Sequence, residues 1–214
     1  MQTILVANPK GGCGKTTLAT NVAGFLAGKR QRVVLADEDP QRSASLWLDR
    51  RPALFPRIMP ALRETEAEAA VSIDAQWLVV DSPAGLHGDA LEDEVQRADV
   101  LLVPVSPSVF DMAATDRFLE TIGRLKARKD GGLDVALVAI RVDSRTHSAT
   151  ELTEFLGRFE FPMVAQLRVT QIYVWCARDG ASVFDLPRSR AEQDWEQWRP
   201  LTRWLARHAP VRET

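Results

Sequence analysis

The sequence predicts an α/β fold, a mostly parallel sheet flanked by helices on both faces. Three observations predict it. Short, β-branched, nearly continuous apolar runs alternate with helix-length amphipathic stretches. The first run opens directly into a glycine-rich turn followed by a helix-like segment. Two later runs end in aspartate. Unbroken apolar runs mark strands covered on both faces, and strand–helix alternation builds βαβ units. The chain has 214 residues, which suits one domain over residues 1–214. Hydrophobic residues at 45% and charged residues at 26% exclude wholesale disorder. A net charge of −2 provides no global basic field for nucleic acid, so polyanion binding would need a local patch.

The expected strands are Thr3–Ala7, Arg32–Ala36, Trp77–Val80, Val100–Val105 and Val135–Ile140. The expected helices are Thr16–Ala27, Ser43–Leu48, Asp89–Ala98, Ala113–Arg128 and Ser148–Phe159. Arg51–Thr65 is the least regular stretch, with Pro52, Pro56 and Pro60. A short edge strand there, then a helix through Glu64–Val71, fits the pattern. The tail from Ser189 reads as helix. Ser189 and Glu192 have capping-box spacing, and Trp195, Trp198, Leu201 and Leu205 recur on one face. Pro200 is the expected point of a break or kink.

Several chemistries are excluded. Cys13 and Cys176 make no CxxC pair, so a cysteine-rich zinc site and a disulfide scaffold are out. His87, His147 and His208 are too dispersed for a metal triad. No apolar run approaches the roughly 20 residues of a spanning helix, and no secretory signal is visible. A cytoplasmic, reducing location is expected.

The strongest signal is Ile4-Leu5-Val6-Ala7-Asn8-Pro9-Lys10-Gly11-Gly12-Cys13-Gly14-Lys15-Thr16-Thr17. Glycines let backbone N–H groups converge on phosphate oxygens, and the following helix adds its positive end. Gly11 to Thr17 are therefore the expected nucleotide-binding loop of a P-loop NTPase. Lys15 would reach the β- and γ-phosphates, and the Thr16 hydroxyl would ligate magnesium. The pattern GxxxxGK[ST] fails at its first position, which is Pro9, while KGGxGKTT is met in full. Cys13 fills the variable loop position. Downstream, Val33–Ala36 leads into Asp37-Glu38-Asp39-Pro40-Gln41, with two carboxylates two residues apart. Trp77–Val80 leads into Asp81, the Walker B shape, where Asp81 would hold magnesium.

These segments resemble the deviant Walker A ATPases, the ParA/MinD group, whose hallmark is a lysine near the start of the loop, here Lys10. The resemblance covers nearly the whole chain and is most specific in its first ninety residues. It implies an ATPase with ATP and Mg2+ as cofactors. It implies a homodimer closed by ATP, in which Lys10 crosses to the partner's nucleotide and stabilises charge on the transferring phosphoryl group. It makes Asp39 the candidate for orienting the attacking water and puts Asp37 near the magnesium shell and Lys15. Ser82–Gly88 resembles the second switch, and Arg141-Val142-Asp143 falls where this fold usually places adenine contacts.

The stretch Gln166–Tyr173 with Asp179–Phe184 resembles small plasmid-partition ATPases that lack an N-terminal specificity domain. That implies non-specific DNA binding, a nucleoid-associated location and a stimulating, ParB-like adaptor. Arg168, Arg178, Arg199 and Arg203 are the candidate DNA contacts. The cargo of such a switch would be a plasmid, a chromosome or a protein assembly. Two alternatives stand beside this reading. One is a MinD-like positioning ATPase whose tail, with Trp195, Trp198 and Trp204, touches lipid. A membrane partner is the less expected of the two surfaces, because a terminal helix more often docks on its own sheet. The other is a small-molecule ATP-dependent enzyme of related fold.

Overall fold

The computed structural model describes residues 1–61 and 75–209. The helix expected through Glu64–Val71 lies outside the described residues. Seven strands form one sheet: β1 (Gln2–Val6), β2 (Val33–Asp37), β3 (Met59–Pro60), β4 (Trp77–Asp81), β5 (Val100–Val105), β6 (Asp134–Val142) and β7 (Met163–Arg168). Their order is β3-β2-β4-β1-β5-β6-β7 and every pairing is parallel. The helices are α1 (Lys15–Gly28), α2 (Ser43–Asp49), α3 (Gly88–Arg97), α4 (Val109–Arg128), α5 (His147–Leu156), α6 (Gln171–Arg178) and α7 (Arg188–Leu205).

The sheet is covered on both faces. Along β1, Ile4 and Val6 point into one core with residues of α1, α2, α6 and α7. Leu5 and Ala7 point into the other with residues of α3, α4 and α5. Two cores form because a central parallel strand alternates its side chains between two covered faces. The expected strands and helices through α5 are present within a few residues. The proline-rich stretch does contribute an edge strand, β3, which pairs with Val34 and Leu35. The other edge strand, β7, was not expected. From Ala165 onward its side chains alternate between buried and half-buried positions, as suits an edge.

Two expectations for the tail need correction. Helix α7 is preceded by Pro187, and no side chain caps it, so the Ser189–Glu192 box does not form. A reciprocal box forms upstream instead, between Ser182 and Asp185. The non-helical residue inside α7 is Ala191, while Pro200 lies within continuous helix. The break therefore sits one turn into the helix, and Trp198, Leu201 and Leu205 beyond it are fully buried. Trp195 and Trp204 pack against the same core.

The register places chemistry at one edge. Val6 pairs with Asp81, and Asp37 pairs with Asp81 across β2 and β4. The loop leaving β1 and the carboxylates ending β2 and β4 thus share the carboxyl edge of the sheet. Here the chain order reverses around β1, the usual crevice of such folds.

Candidate nucleotide-binding site

The loop between β1 and α1 is shaped by two left-handed residues. Gly12 has φ 75° and Gly14, the residue before α1, has φ 93°. At Gly14 a Cβ would also lie 2.7 Å from Ile140 Cδ1 on β6. The torsion favours glycine there, and any larger residue would also have to displace the Ile140 methyl. No side chain caps α1. Among the described residues, no backbone carbonyl accepts from the amides of Cys13, Gly14 or Lys15, and those of Cys13 and Lys15 face only the weakly accepting Cys13 sulfur. A helix start with open N–H groups and a positive end is a ready anion cradle.

The loop is braced from several sides. Asn8 is fully buried; its Nδ2 donates to Pro104 O and Thr115 Oγ1, and its Oδ1 accepts from the Lys10 amide. Gly85 N, in the segment after β4, donates to Pro9 O at 2.9 Å. Arg141, at the end of β6, donates from Nη1 to Gly12 O at 2.7 Å. Cys13 is buried and donates from Sγ to Lys10 O, and burial pushes its thiol up. Such a thiol is a packing group, not a reactive one.

The two loop lysines differ. Lys15 is buried, and its Nζ donates to Lys10 O at 3.1 Å. Lys10 is exposed, and its ammonium has no hydrogen-bond partner among the described residues. One cation is folded into the loop while the other stands free at its mouth.

The carboxylates cluster as the register dictates. Asp81 is completely buried, and neither oxygen has a hydrogen-bond partner among the described residues. Burial, and to a lesser degree the charges of Asp37 and Asp39, push its carboxyl up to about 7; the Thr16 hydroxyl and the Lys15 ammonium oppose this. An orphaned, buried carboxylate beside a threonine hydroxyl fits a hard divalent cation with oxygen ligands. Asp37 accepts from Ser45 N at 2.6 Å and from Asp39 N at 3.2 Å, so both its oxygens help turn the chain into α2. Asp39 is half-buried, and its Oδ1 accepts from Gln41 N at 2.9 Å. Lys15, Thr16, Asp37, Asp39 and Asp81 thus converge on one edge.

Three of the four arginines named for DNA are engaged in ion pairs. Arg168 makes a two-point ion pair with the buried Asp194, at 2.9 and 3.0 Å. Arg178 pairs with Asp179 at 2.6 Å, and Arg199 pairs with Glu196. Of the four, only Arg203 is exposed without an ion-pair partner among the described residues.

Sequence reasoning missed Asn8 as a brace. Arg141, at the position where such folds place adenine contacts, also reaches the loop, which the sequence did not announce. Their partners lie 96, 107 and 129 residues away, and no local pattern carries such a pairing.

Comparison with known proteins agrees with this geometry. Residues 4–166 match the model of the CobQ/CobB/MinD/ParA nucleotide binding domain. Maintenance of carboxysome distribution protein A of Gloeobacter kilaueensis is 34% identical over 95% of this chain and 94% of its own. Among solved structures, apo McdA of Cyanothece superposes with a TM-score of 0.71 at 16% identity, over 93% of this chain and 98% of that one. Cobyrinic acid a,c-diamide synthase from Mycobacterium smegmatis, with bound ADP and magnesium, gives 0.66 at 21% identity, over 92% and 97%. A glycine-shaped phosphate cradle, an orphaned aspartate beside Thr16 and a family match across three quarters of the sequence agree: this chain belongs to the CobQ/CobB/MinD/ParA nucleotide-binding family.

Proposed function

We propose that this protein is a ParA-like positioning ATPase that uses ATP with Mg2+. It closes into a homodimer on ATP and rides on DNA without sequence preference. It moves a cargo through an adaptor that stimulates hydrolysis. One observation carries this reading: Lys10 stands exposed and unpaired at the loop mouth, while Lys15 is buried in the loop itself. A loop that already holds its own lysine has no local use for a second. A free cation there is placed to act on a nucleotide across an interface, in the manner of an arginine finger.

In the proposed mechanism Lys15 exchanges the Lys10 carbonyl for phosphate oxygens. The amides of Cys13, Gly14 and Lys15, which no carbonyl engages, hold the β-phosphate. Thr16 and Asp81 would hold Mg2+, with Asp37 behind them, and the ion would neutralise charge on the phosphate oxygens. Asp39 orients the attacking water. Lys10 of the second copy stabilises the charge that develops as the phosphoryl group transfers. Hydrolysis then opens the dimer.

For cargo, similarity to a carboxysome-distribution protein over nearly the full chain favours a protein assembly over a plasmid or chromosome. For the surface, the tail tryptophans are packed against the core, so the lipid-facing helix of the alternative reading is already occupied. DNA contact would fall to arginines without local carboxylates, Arg203 among them. The test is co-sedimentation with random-sequence DNA, and in parallel with anionic vesicles, across a salt series. ATP-dependent, salt-sensitive DNA binding supports the proposal. Vesicle binding with ATP instead would overturn the DNA step.

A further inference from the structure

Arg141 occupies an unusual position. It is the last residue but one of β6 and has φ 59°, a left-handed conformation uncommon for a residue with a long side chain. The ladder to β7 shifts register between Ala139 and Val142, so the backbone is re-aimed at this point. Its exposed side chain spans to the phosphate loop and donates from Nη1 to Gly12 O. The preceding residue, Ile140, lies against Gly14. The end of β6 therefore holds the loop at both left-handed glycines.

We propose that Arg141 is a positioning residue for the phosphate cradle. The Gly12–Cys13 peptide is trans, so the Gly12 carbonyl and the Cys13 N–H point in opposite directions. Holding the carbonyl on the Arg141 side turns the Cys13 N–H the other way. Gly12 has no Cβ to fix that plane, and its torsions are soft. The Arg141 guanidinium supplies what the glycine lacks, a charge-assisted hydrogen bond that selects one peptide orientation. Arg141 thereby contributes to binding of the β-phosphate without touching the nucleotide. The inference rests on the reading that this loop binds ATP.

The test uses the full chain with Arg141→Ala, Arg141→Gly and Arg141→Lys. Titration with Mg-ADP, Mg-ATP and tripolyphosphate gives affinity and stoichiometry for each. Arg141→Gly accommodates the backbone torsion without the side chain, which separates relief of strain from loss of the hydrogen bond. The expected result is a loss of at least about tenfold in affinity for all three ligands in the Ala and Gly variants. One site per chain and the parent melting temperature are retained. Arg141→Lys recovers part of the loss. Hydrolysis at saturating ATP keeps the parent rate, so KM rises and kcat does not fall. Parent-like ADP affinity in Arg141→Gly would overturn the inference. So would a loss confined to ATP, or one that spares tripolyphosphate, because those outcomes mean a direct γ-phosphate or base contact. A parent protein that binds no nucleotide would instead sink the underlying ATPase reading.

Discussion

Asp81 and Lys15 show how single residues divide the cost of this site. A buried carboxylate with no hydrogen-bond partner opposes folding when it is ionised. Its folded value of about 7 lies above the unfolded 3.8, so the sign is fixed. Its contribution to stability is fully present below about pH 4 and is lost as the pH rises through 7. Asp81→Asn should therefore melt higher than the parent at pH 8 without nucleotide or Mg2+. The two should converge towards pH 4, as read by thermal unfolding across that range. If the parent is as stable as the variant at pH 8, burial does not raise this carboxyl. Lys15→Ala should abolish nucleotide binding in calorimetry, because the loop loses the buried cation that neutralises phosphate. These residues were legible in the sequence because strand, glycine turn and Lys-Thr stand in contiguous register. Asn8 and Arg141 were not, because their roles depend on carbonyls brought close only by the sheet.

Helix α2 connects the acidic segment to the distant end of the chain. Its first turn hangs on Asp37 through Ser45 N. Its Trp47 indole donates to Ala181 O. Just past its end, Arg51 pairs with Asp185 at 2.9 and 3.0 Å, and both side chains are at most 5% exposed. Removing one partner of a buried pair strands the other's charge. Asp185→Ala should cost about 3–5 kcal/mol in denaturant unfolding. A loss under 1 kcal/mol would mean that water reaches Arg51. Helix α7 closes the same core, and its Trp198 is fully buried with its indole N–H donating to Tyr173 Oη. Trp198→Ala should cost about 3–5 kcal/mol, whereas a lipid-binding tail would lose vesicle affinity and little stability. At this scale the apolar runs and periodicities told most of the story. Strand β7 escaped because an edge strand alternates its burial, and its six residues interleave Gln166 and Arg168 with apolar neighbours. The kink in α7 was expected at Pro200 because proline is the visible breaker. It falls at Ala191, between the start of the helix and its buried stripe, where no residue type announces it.

For the whole molecule, the layout suits the proposed action of two copies. The cradle, the carboxylates and the free Lys10 all lie at the carboxyl edge of one sheet. Asp39→Ala should slow hydrolysis and hold the ATP-bound dimer, so DNA co-sedimentation with ATP should outlast that of the parent. Rapid release from the variant would remove Asp39 from the water-orienting role. The parallel order and two-faced cover were visible in the alternation of runs, but the pairing of arginines with nearby carboxylates was not. The family resemblance named Arg168, Arg178 and Arg199 as DNA contacts, and folding gives each an acidic partner. The central claim is that Lys10 acts across a dimer closed by ATP. The most direct measurement is solution mass by light scattering for the parent and Lys10→Ala, each with ADP, ATP or a non-hydrolysable ATP analogue. The parent should double from 23.8 kDa only with the triphosphates, while Lys10→Ala binds them and stays at the single-chain mass. A Lys10→Ala protein that doubles with ATP and hydrolyses it at the parent rate would contradict the account.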